Sequence, residues 1–189
     1  MDSLKNRVLN MAKHGEAADL LEVWSDVIND PPADQDFYNQ LVRARATTYD
    51  PTAMLDLLVQ LVRALEDRQD WQGVIRTVTA AAPLWPDNDV FRQAITLALQ
   101  DKYGDHPNAQ QMMDATRLEQ GAPIDQGLKR FRALLRLSPG RAYQHATWGV
   151  GVVRELNLDT GKVTLDFPNE KGRVLTLAGV RDFLAYLPP

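Results

Sequence analysis

The sequence predicts an α+β protein, with an N-terminal all-α region followed by a small C-terminal β-barrel. Up to residue 137, apolar residues recur at every third or fourth position, which is typical of amphipathic helices. From Tyr143 onward, β-branched residues and strict alternation take over, which is typical of short strands. The segment Ser138-Pro139-Gly140 lies between the two patterns. It predicts a boundary between an α-helical repeat-like domain (1–137) and a small barrel domain (141–189).

Prolines, glycines and capping residues divide the first region into a series of helices. Asp34 and the pair Asp50-Pro51 are predicted to begin two of them, because aspartate caps the first turn and proline is tolerated there. Asp87-Asn88-Asp89 is predicted to begin a third, and a polar helix is expected around residues 108–119. A last helix is expected from residue 123 or 124 to Leu137.

Two windows of the helical region are loosely alike. Trp24 and Trp71 each lie early in a helix that is followed by a proline-containing turn and then by a helix with aromatic residues. That unit is typical of helix-pair repeats, which stack to bury their apolar faces. The spacing is irregular, so the sequence predicts a degenerate α-solenoid, with an ordinary helical bundle as the alternative.

The last 49 residues predict strands joined by short turns. Val163, Leu165 and Phe167 alternate with polar residues, and Asp159-Thr160-Gly161 is a hairpin signal. Pro168 to Gly172 predicts the next turn, residues 173–177 the next strand, and residues 180–187 a short closing helix. So few short strands bury little as an open sheet, which favours curling into a barrel. Gly149 and Gly151 predict a bent or bulged strand.

Composition and charge exclude several classes of protein. The 189 residues include no cysteine, which excludes a disulfide framework and a thiolate metal site. No apolar run reaches the length of a membrane span and no signal peptide precedes the first helix, so a cytoplasmic protein is expected. Residues 1–70 hold seven Lys/Arg and thirteen Asp/Glu, a net charge of -6. This acidic block is unsuited to nucleic acid.

The barrel region resembles a known group of bacterial transcription proteins. Residues 143–153, Tyr-Gln-His-Ala-Thr-Trp-Gly-Val-Gly-Val-Val, and residues 163–167, Val-Thr-Leu-Asp-Phe, carry the resemblance. They are similar to the Tudor-like or SH3-like barrels of CarD-like proteins, of the transcription-repair coupling factor and of UvrD-type helicase tails. With the preceding helices and Gly140 to His145, the pattern looks closest to the N-terminal region of long Gre-type transcription elongation factors.

The resemblance implies a non-catalytic module that docks on RNA polymerase, on an outer lobe of the β subunit. The acidic-tipped helical hairpin by which Gre factors act is not recognisable in the sequence. The chain stops at Pro188-Pro189, so we expect a fragment of a longer factor. A partner strand is expected to add to an exposed edge at residues 150–154, or to contact strand faces at 163–167 or 173–177. The predicted interaction residues are Trp148, Val150, Val152, Arg154, Asp166, Phe167, Arg173 and Leu175.

Individual polar residues carry weaker signals. His145 lies far in sequence from His14 and His106, so a structural histidine is favoured over a metal ligand. Trp148 is either a core residue or an exposed anchor. Asp166 and Arg173 are expected to pair across the second hairpin. No cofactor, membrane contact or small-molecule substrate is expected.

The sequence leaves three alternatives to docking on polymerase. Lys129, Arg132 and Arg136 share one face of the last helix and could contact nucleic-acid phosphates, against the simpler reading of a solvated face. A helical-repeat adaptor unrelated to transcription would bind its partner in a groove of residues 1–137. An enzyme is disfavoured, because no catalytic motif is present and the acidic pairs are better explained as helix caps.

Overall fold

Helices occupy the chain up to residue 136 and strands follow, so the protein is α+β as predicted. The computed structural model describes residues 2–14, 17–45, 51–177, 180 and 184–187. The helices are α1 (Asp2–His14), α2 (Ala17–Asn29), α3 (Gln35–Arg45), α4 (Pro51–Asp67), α5 (Trp71–Ala81), α6 (Asp89–Tyr103), α7 (Ala109–Thr116) and α8 (Ile124–Arg136). The strands are β1 (Ala142–His145), β2 (Gly149–Asn157), β3 (Lys162–Asp166), β4 (Arg173–Thr176) and β5 (Leu184–Leu187).

Side-chain caps fix the beginnings of several helices. Asp34 accepts the backbone N–H of Asp36 at 2.9 Å, and Asn88 accepts that of Phe91 at 3.0 Å, so both predicted caps are confirmed. Asp70 caps α5 by accepting the N–H of Gly73 at 2.8 Å. Each bond satisfies a donor that the first helical turn leaves unpaired. The predicted cap at Asp50 lies outside the described residues.

The chain divides into two compact units. The first comprises residues 1–105 and 117–126, and the second comprises residues 106–116 and 127–189. Helix α7 and most of α8 therefore belong to the same unit as the sheet. The boundary predicted at residues 138–140 lies inside the second unit, and independent folding of residues 141–189 stays a prediction.

In the first unit, three pairs of helices adjacent in sequence pack together, α1 with α2, α4 with α5 and α5 with α6, and alternate helices pack as well. Helices α1, α3 and α5 pack in one series, and α2, α4 and α6 pack in another. The largest side chains of the core are fully buried; they include Trp24, Phe37, Tyr38, Leu58 and Phe91. The Trp24 indole N–H donates to the Leu57 carbonyl at 3.1 Å, which satisfies its one polar atom inside the core.

The second unit contains a five-stranded antiparallel sheet in the order β4-β3-β2-β1-β5. The predicted hairpin turn at residues 159–161 is confirmed, and Gly161 adopts a φ of +64° there. The predicted turn at residues 168–172 is confirmed as well. In β2 the register shifts between Val153 and Glu155, which leaves Arg154 as the extra residue of a β-bulge. The irregularity that the glycines predicted therefore falls at Arg154 rather than at Gly149 or Gly151.

The predicted closing helix is wrong over its second half. Leu184–Leu187 is strand β5, which pairs with β1 residue for residue, from Ala142 opposite Leu187 to His145 opposite Leu184. The physical reason is that β1 pairs with β2 along one side only, and β5 takes up the hydrogen-bonding groups on its other side. Val180 is helical and buried in the sheet core, and the predicted contribution of Phe183 lies outside the described residues.

One face of the sheet forms an apolar core with contributions from all of its first three strands. The buried members are Leu137, Tyr143, Val153, Leu156, Val163, Leu165, Phe167 and Val180. Hydrogen bonds tie the helical segments of this unit to the sheet. The Tyr143 hydroxyl donates to the Arg136 carbonyl at 3.0 Å, and the Asn108 amide donates to the Leu156 carbonyl at 3.2 Å.

None of the helices described here combines the length and the apolar character that crossing a bilayer requires.

Candidate functional site

The turn between β1 and β2 is organised by one histidine. The Nδ1 atom of His145 accepts the backbone N–H of Thr147 at 3.0 Å and that of Trp148 at 3.2 Å. An imidazole nitrogen that accepts a hydrogen bond carries no proton, so these contacts assign the acceptor role to Nδ1. Gly149 then enters β2 with a φ of +77°, a conformation that favours glycine after a three-residue hairpin loop. His145 is buried and hydrogen-bonded, as predicted for a structural histidine.

The indole of Trp148 lies between an aromatic side chain, His145, and a cationic side chain, Arg173. The His145 imidazole stacks on the indole with ring centres 3.7 Å apart and planes inclined by 10°. The Arg173 guanidinium carbon lies 3.3 Å from the centre of the same indole. Two groups so close to one ring centre must occupy its opposite faces. We call His145, Trp148 and Arg173 the indole stack; it joins the first turn of the sheet to strand β4.

Phe167 supports the indole stack from the core side. Its ring meets Trp148 edge-on at 5.5 Å and His145 edge-on at 6.2 Å between ring centres. The same ring covers Gly151, where an added Cβ would lie 2.5 Å from a Phe167 ring carbon. The second glycine of the motif is therefore required for close packing. Phe167 is 1% exposed, and Leu175 packs partly buried against the same core.

Asp166 organises the turn that leads into β4. Its carboxylate accepts the backbone N–H of Gly172 at 2.7 Å. Arg173 forms its ion pair with Glu170 inside the same turn. The predicted pair of Asp166 with Arg173 is therefore wrong, because each side chain has a nearer partner within the 166–173 segment.

The opposite face of the sheet carries exposed valines. Val150 is 44% exposed, Val152 42% and Val174 55%, although valine is ordinarily a core residue. Val152 lies opposite Asp166 on β3, and Val174 lies opposite Thr164 on the same strand. We call Val150, Val152 and Val174 the valine face. Arg154 is also exposed, at the bulge.

The predicted strand edge at residues 150–154 is wrong. These residues belong to β2, which lies between β1 and β3 and pairs with both. The edge strands of the sheet are β4 and β5. Val174 was not predicted as an interaction residue. The alternation along Arg173–Thr176 could have identified it, because it places Val174 on the face opposite to the partly buried Leu175.

The three basic residues predicted to contact nucleic acid lie together on α8. Lys129, Arg132 and Arg136 are all exposed, and their spacing of three and four positions places them along one helical face. Arg130 points elsewhere, because its guanidinium donates to the Thr116 carbonyl at 3.3 Å. Contact of the basic face with nucleic acid stays a prediction.

The described part of the chain contains no set of donor side chains for a metal ion. No group of three or more His, Asp or Glu side chains lies close enough together there to hold a metal ion. What the sheet offers is a packed indole stack, an exposed valine face and a four-residue edge strand. Comparison of the chain with protein-family models, with curated proteins and with solved structures finds no match.

Proposed function

We propose that the chain is a non-catalytic interaction module of a bacterial transcription elongation factor, and that its sheet docks on RNA polymerase. The observation that carries the proposal is the valine face beside an edge strand. Val174 of β4 is more than half exposed, and Val150 and Val152 add apolar surface on β2. Exposed apolar residues grouped on one face favour a protein partner. The resemblance of residues 143–153 and 163–167 to polymerase-binding barrels supplies the identity of that partner.

The sheet order supports the proposal that the strands close into a Tudor-like or SH3-like barrel. Strands β4 and β5 lie at opposite edges of the sheet. They run parallel to each other, because four successive antiparallel pairings separate them. Val180, which lies between these two strands in the sequence, is buried in the core of the sheet, as a plug of a small barrel would be.

The helix packing supports the proposal of a degenerate helical repeat. In a stack of helix pairs, each helix packs on its partner and on the equivalent helix of the next pair. The series α1-α3-α5 and α2-α4-α6 have this relation, with α1 on α2 and α5 on α6 as pairs. The tryptophans that suggested the repeat are not equivalent, because Trp24 is 2% exposed and Trp71 is only partly buried.

Docking through β4 would use the side that faces away from β3, where none of the described strands pairs with it. A partner strand that adds to β4 gains backbone hydrogen bonds, and alternate side chains supply specificity. Val174 and Thr176 are exposed, whereas Arg173 and Leu175 are partly buried. The indole stack holds Arg173, and therefore the start of β4, in place. The proposed partner is the outer lobe of the polymerase β subunit.

Binding of the full chain to purified bacterial RNA polymerase core enzyme tests the proposal. We expect the triple variant Val150→Glu, Val152→Glu, Val174→Glu to bind at least about tenfold more weakly, because charges would replace the apolar contact. Leu97→Glu is the matched control, since Leu97 is 51% exposed on α6 in the other unit. Failure of the folded wild-type chain to bind polymerase, or equal binding by the triple variant, would refute it.

Nucleic-acid contact is retained as a second candidate because Lys129, Arg132 and Arg136 are exposed on one helical face. It predicts binding to duplex DNA that weakens steeply with salt. Replacing the three residues by glutamine should flatten that salt dependence while leaving polymerase binding intact. Salt-independent binding, or none, would remove this candidate.

A further inference from the structure

A surface groove lies between α2 and α4 of the first unit. It has a volume of about 230 Å³, and most of its lining is aliphatic. Helix α2 contributes Leu20 and Leu21, and α4 contributes Ala53, Met54 and Leu57. Leu21 is 57% exposed, the largest exposed fraction among the big apolar side chains that the structure describes.

Local sequence explains why the groove is open. Leu20 and Leu21 are consecutive, so the helix turns one of them into the core and the other outward; Leu20 is 3% exposed. On α4, Ala53 lies one turn before the buried Leu57, and its single methyl group leaves space that a larger side chain would fill. The hydrogen bond from Trp24 to the Leu57 carbonyl fixes α2 against α4 beside this space. The groove therefore lies beside a hydrogen-bonded contact between the two helices.

The size of the groove indicates the kind of occupant. Sites for small molecules usually enclose about 300–1,000 Å³. A volume of 230 Å³ is smaller and suits one or two large apolar side chains of a peptide, which is how amphipathic helices anchor in helical grooves. Burial of Leu21 by such a side chain would remove an exposed apolar surface from water.

The charges around the groove select a basic peptide. Asp56 is part of the lining and Glu22 is exposed next to Leu21, and neither forms an ion pair with any described residue. No lysine or arginine lines the groove. The surrounding residues 1–70 carry a net charge of -6. Lysine or arginine beside the anchoring side chains would be attracted to this rim, and glutamate would be repelled.

We propose that the α2–α4 groove is a docking site for a peptide segment of another protein, with large apolar side chains one helical turn apart and basic residues beside them. This site lies in the first unit and does not depend on docking of the sheet to polymerase. The chain would then hold two partners, one on each unit.

Methionine methyl NMR on the full chain tests the site directly. The probe is a synthetic amphipathic helix of leucine and lysine, compared with the same peptide in which glutamate replaces lysine. Met54 lines the groove, whereas Met112 is buried in the second unit and serves as an internal control. We expect the leucine–lysine peptide to shift the Met54 signal saturably and to leave the Met112 signal unchanged.

Matched variants decide between a specific site and general attraction to an acidic protein. Leu21→Lys should weaken binding by about tenfold or more, whereas Leu97→Lys, which changes a leucine of similar exposure on α6, should bind like the wild type. The proposal is overturned by an unmoved Met54 signal, or by equal losses in the two variants. Equal affinity for the leucine–glutamate peptide would overturn the assignment of a basic partner.

Discussion

The two units of this protein are specified in different ways. The first unit relies on many buried apolar side chains at helical spacing. The second unit concentrates its specificity in residues 143–153 and 166–173, where His145 holds a turn, Gly149 a positive φ and Gly151 a close contact. A family resemblance can therefore rest on a motif in the sheet, whereas in the helices it rests on architecture.

The contrast predicts that the helical unit is most sensitive to loss of volume. Trp24→Ala should lower the free energy of unfolding of this unit by about 3–5 kcal/mol, because it leaves a cavity and removes the hydrogen bond from the indole to the Leu57 carbonyl. Trp71→Ala is the matched control and should cost less, because Trp71 is only partly buried. Hydrogen exchange followed by mass spectrometry reports on each unit separately. Equal losses of stability in the two variants would show that the two tryptophans are equivalent after all.

The sheet should instead be most sensitive to added volume. Gly151→Val places side-chain atoms against the Phe167 ring, which is 1% exposed and has no free space to move into. Overpacking of this kind costs about 1–3 kcal/mol. Gly161→Ala, where only the positive φ opposes a side chain, is the control and should cost about 1 kcal/mol. Denaturant unfolding monitored by exchange in β2 measures both, and a tolerated valine would show that the contact is dispensable.

The two units should respond alike where they use the same device. Asp70 caps α5 through Gly73, and Asp166 holds the 166–173 turn through Gly172. Replacing either by alanine should cost about 1 kcal/mol in its own unit, and the asparagine variants should retain most of the stability because the acceptor oxygen remains. Thermal unfolding with exchange as the local readout tests this. If only one of the two alanine variants lost stability, the aspartate of the other unit would be replaceable.

The smallest expected effect concerns pH. Burial, and then the neighbouring Asp67 carboxylate, raise the pKa of Glu66 above its ordinary 4.5, with Arg63 opposing them. The folded state then holds the Glu66 proton more tightly than the unfolded state, so the contribution of Glu66 to stability is greatest below pH 4.5 and is lost as pH rises through the folded pKa. Glu66→Gln should therefore raise Tm slightly at pH 7 and have no benefit at low pH. Glu22→Gln, an exposed carboxylate, is the control; a Tm gain for Glu66→Gln that persists at low pH would contradict the argument.

The sequence predicted those parts of the fold that depend on local pattern. Helix positions, the caps at Asp34 and Asn88 and both hairpin turns follow from residues close together in the chain. Strand β5 does not, because Leu-Ala-Tyr-Leu suits a helix as well and its partner β1 lies about 40 residues earlier. The valine face and the true sheet edges likewise depend on which strands become neighbours, and no local pattern specifies that.

The candidate site was predictable to the same extent. His145, Trp148 and the two glycines belong to one short motif and were identified together. The contribution of Arg173 to the indole stack could not be predicted, because it arrives from β4 through two hairpins. The α2–α4 groove was missed because spacing alone does not show whether Leu21 is covered by a neighbouring helix.

The bulge at Arg154 has a consequence for how this strand can tolerate insertions and deletions. Val153 and Leu156 both point into the core, with two exposed residues between them instead of one. Deleting Arg154 would therefore restore simple alternation and keep both apolar side chains inward, at the cost of the local twist that a bulge adds. A deletion two residues later would remove Leu156 itself from the core. Homologous chains of different length are thus expected to differ at position 154 before they differ anywhere else in β2.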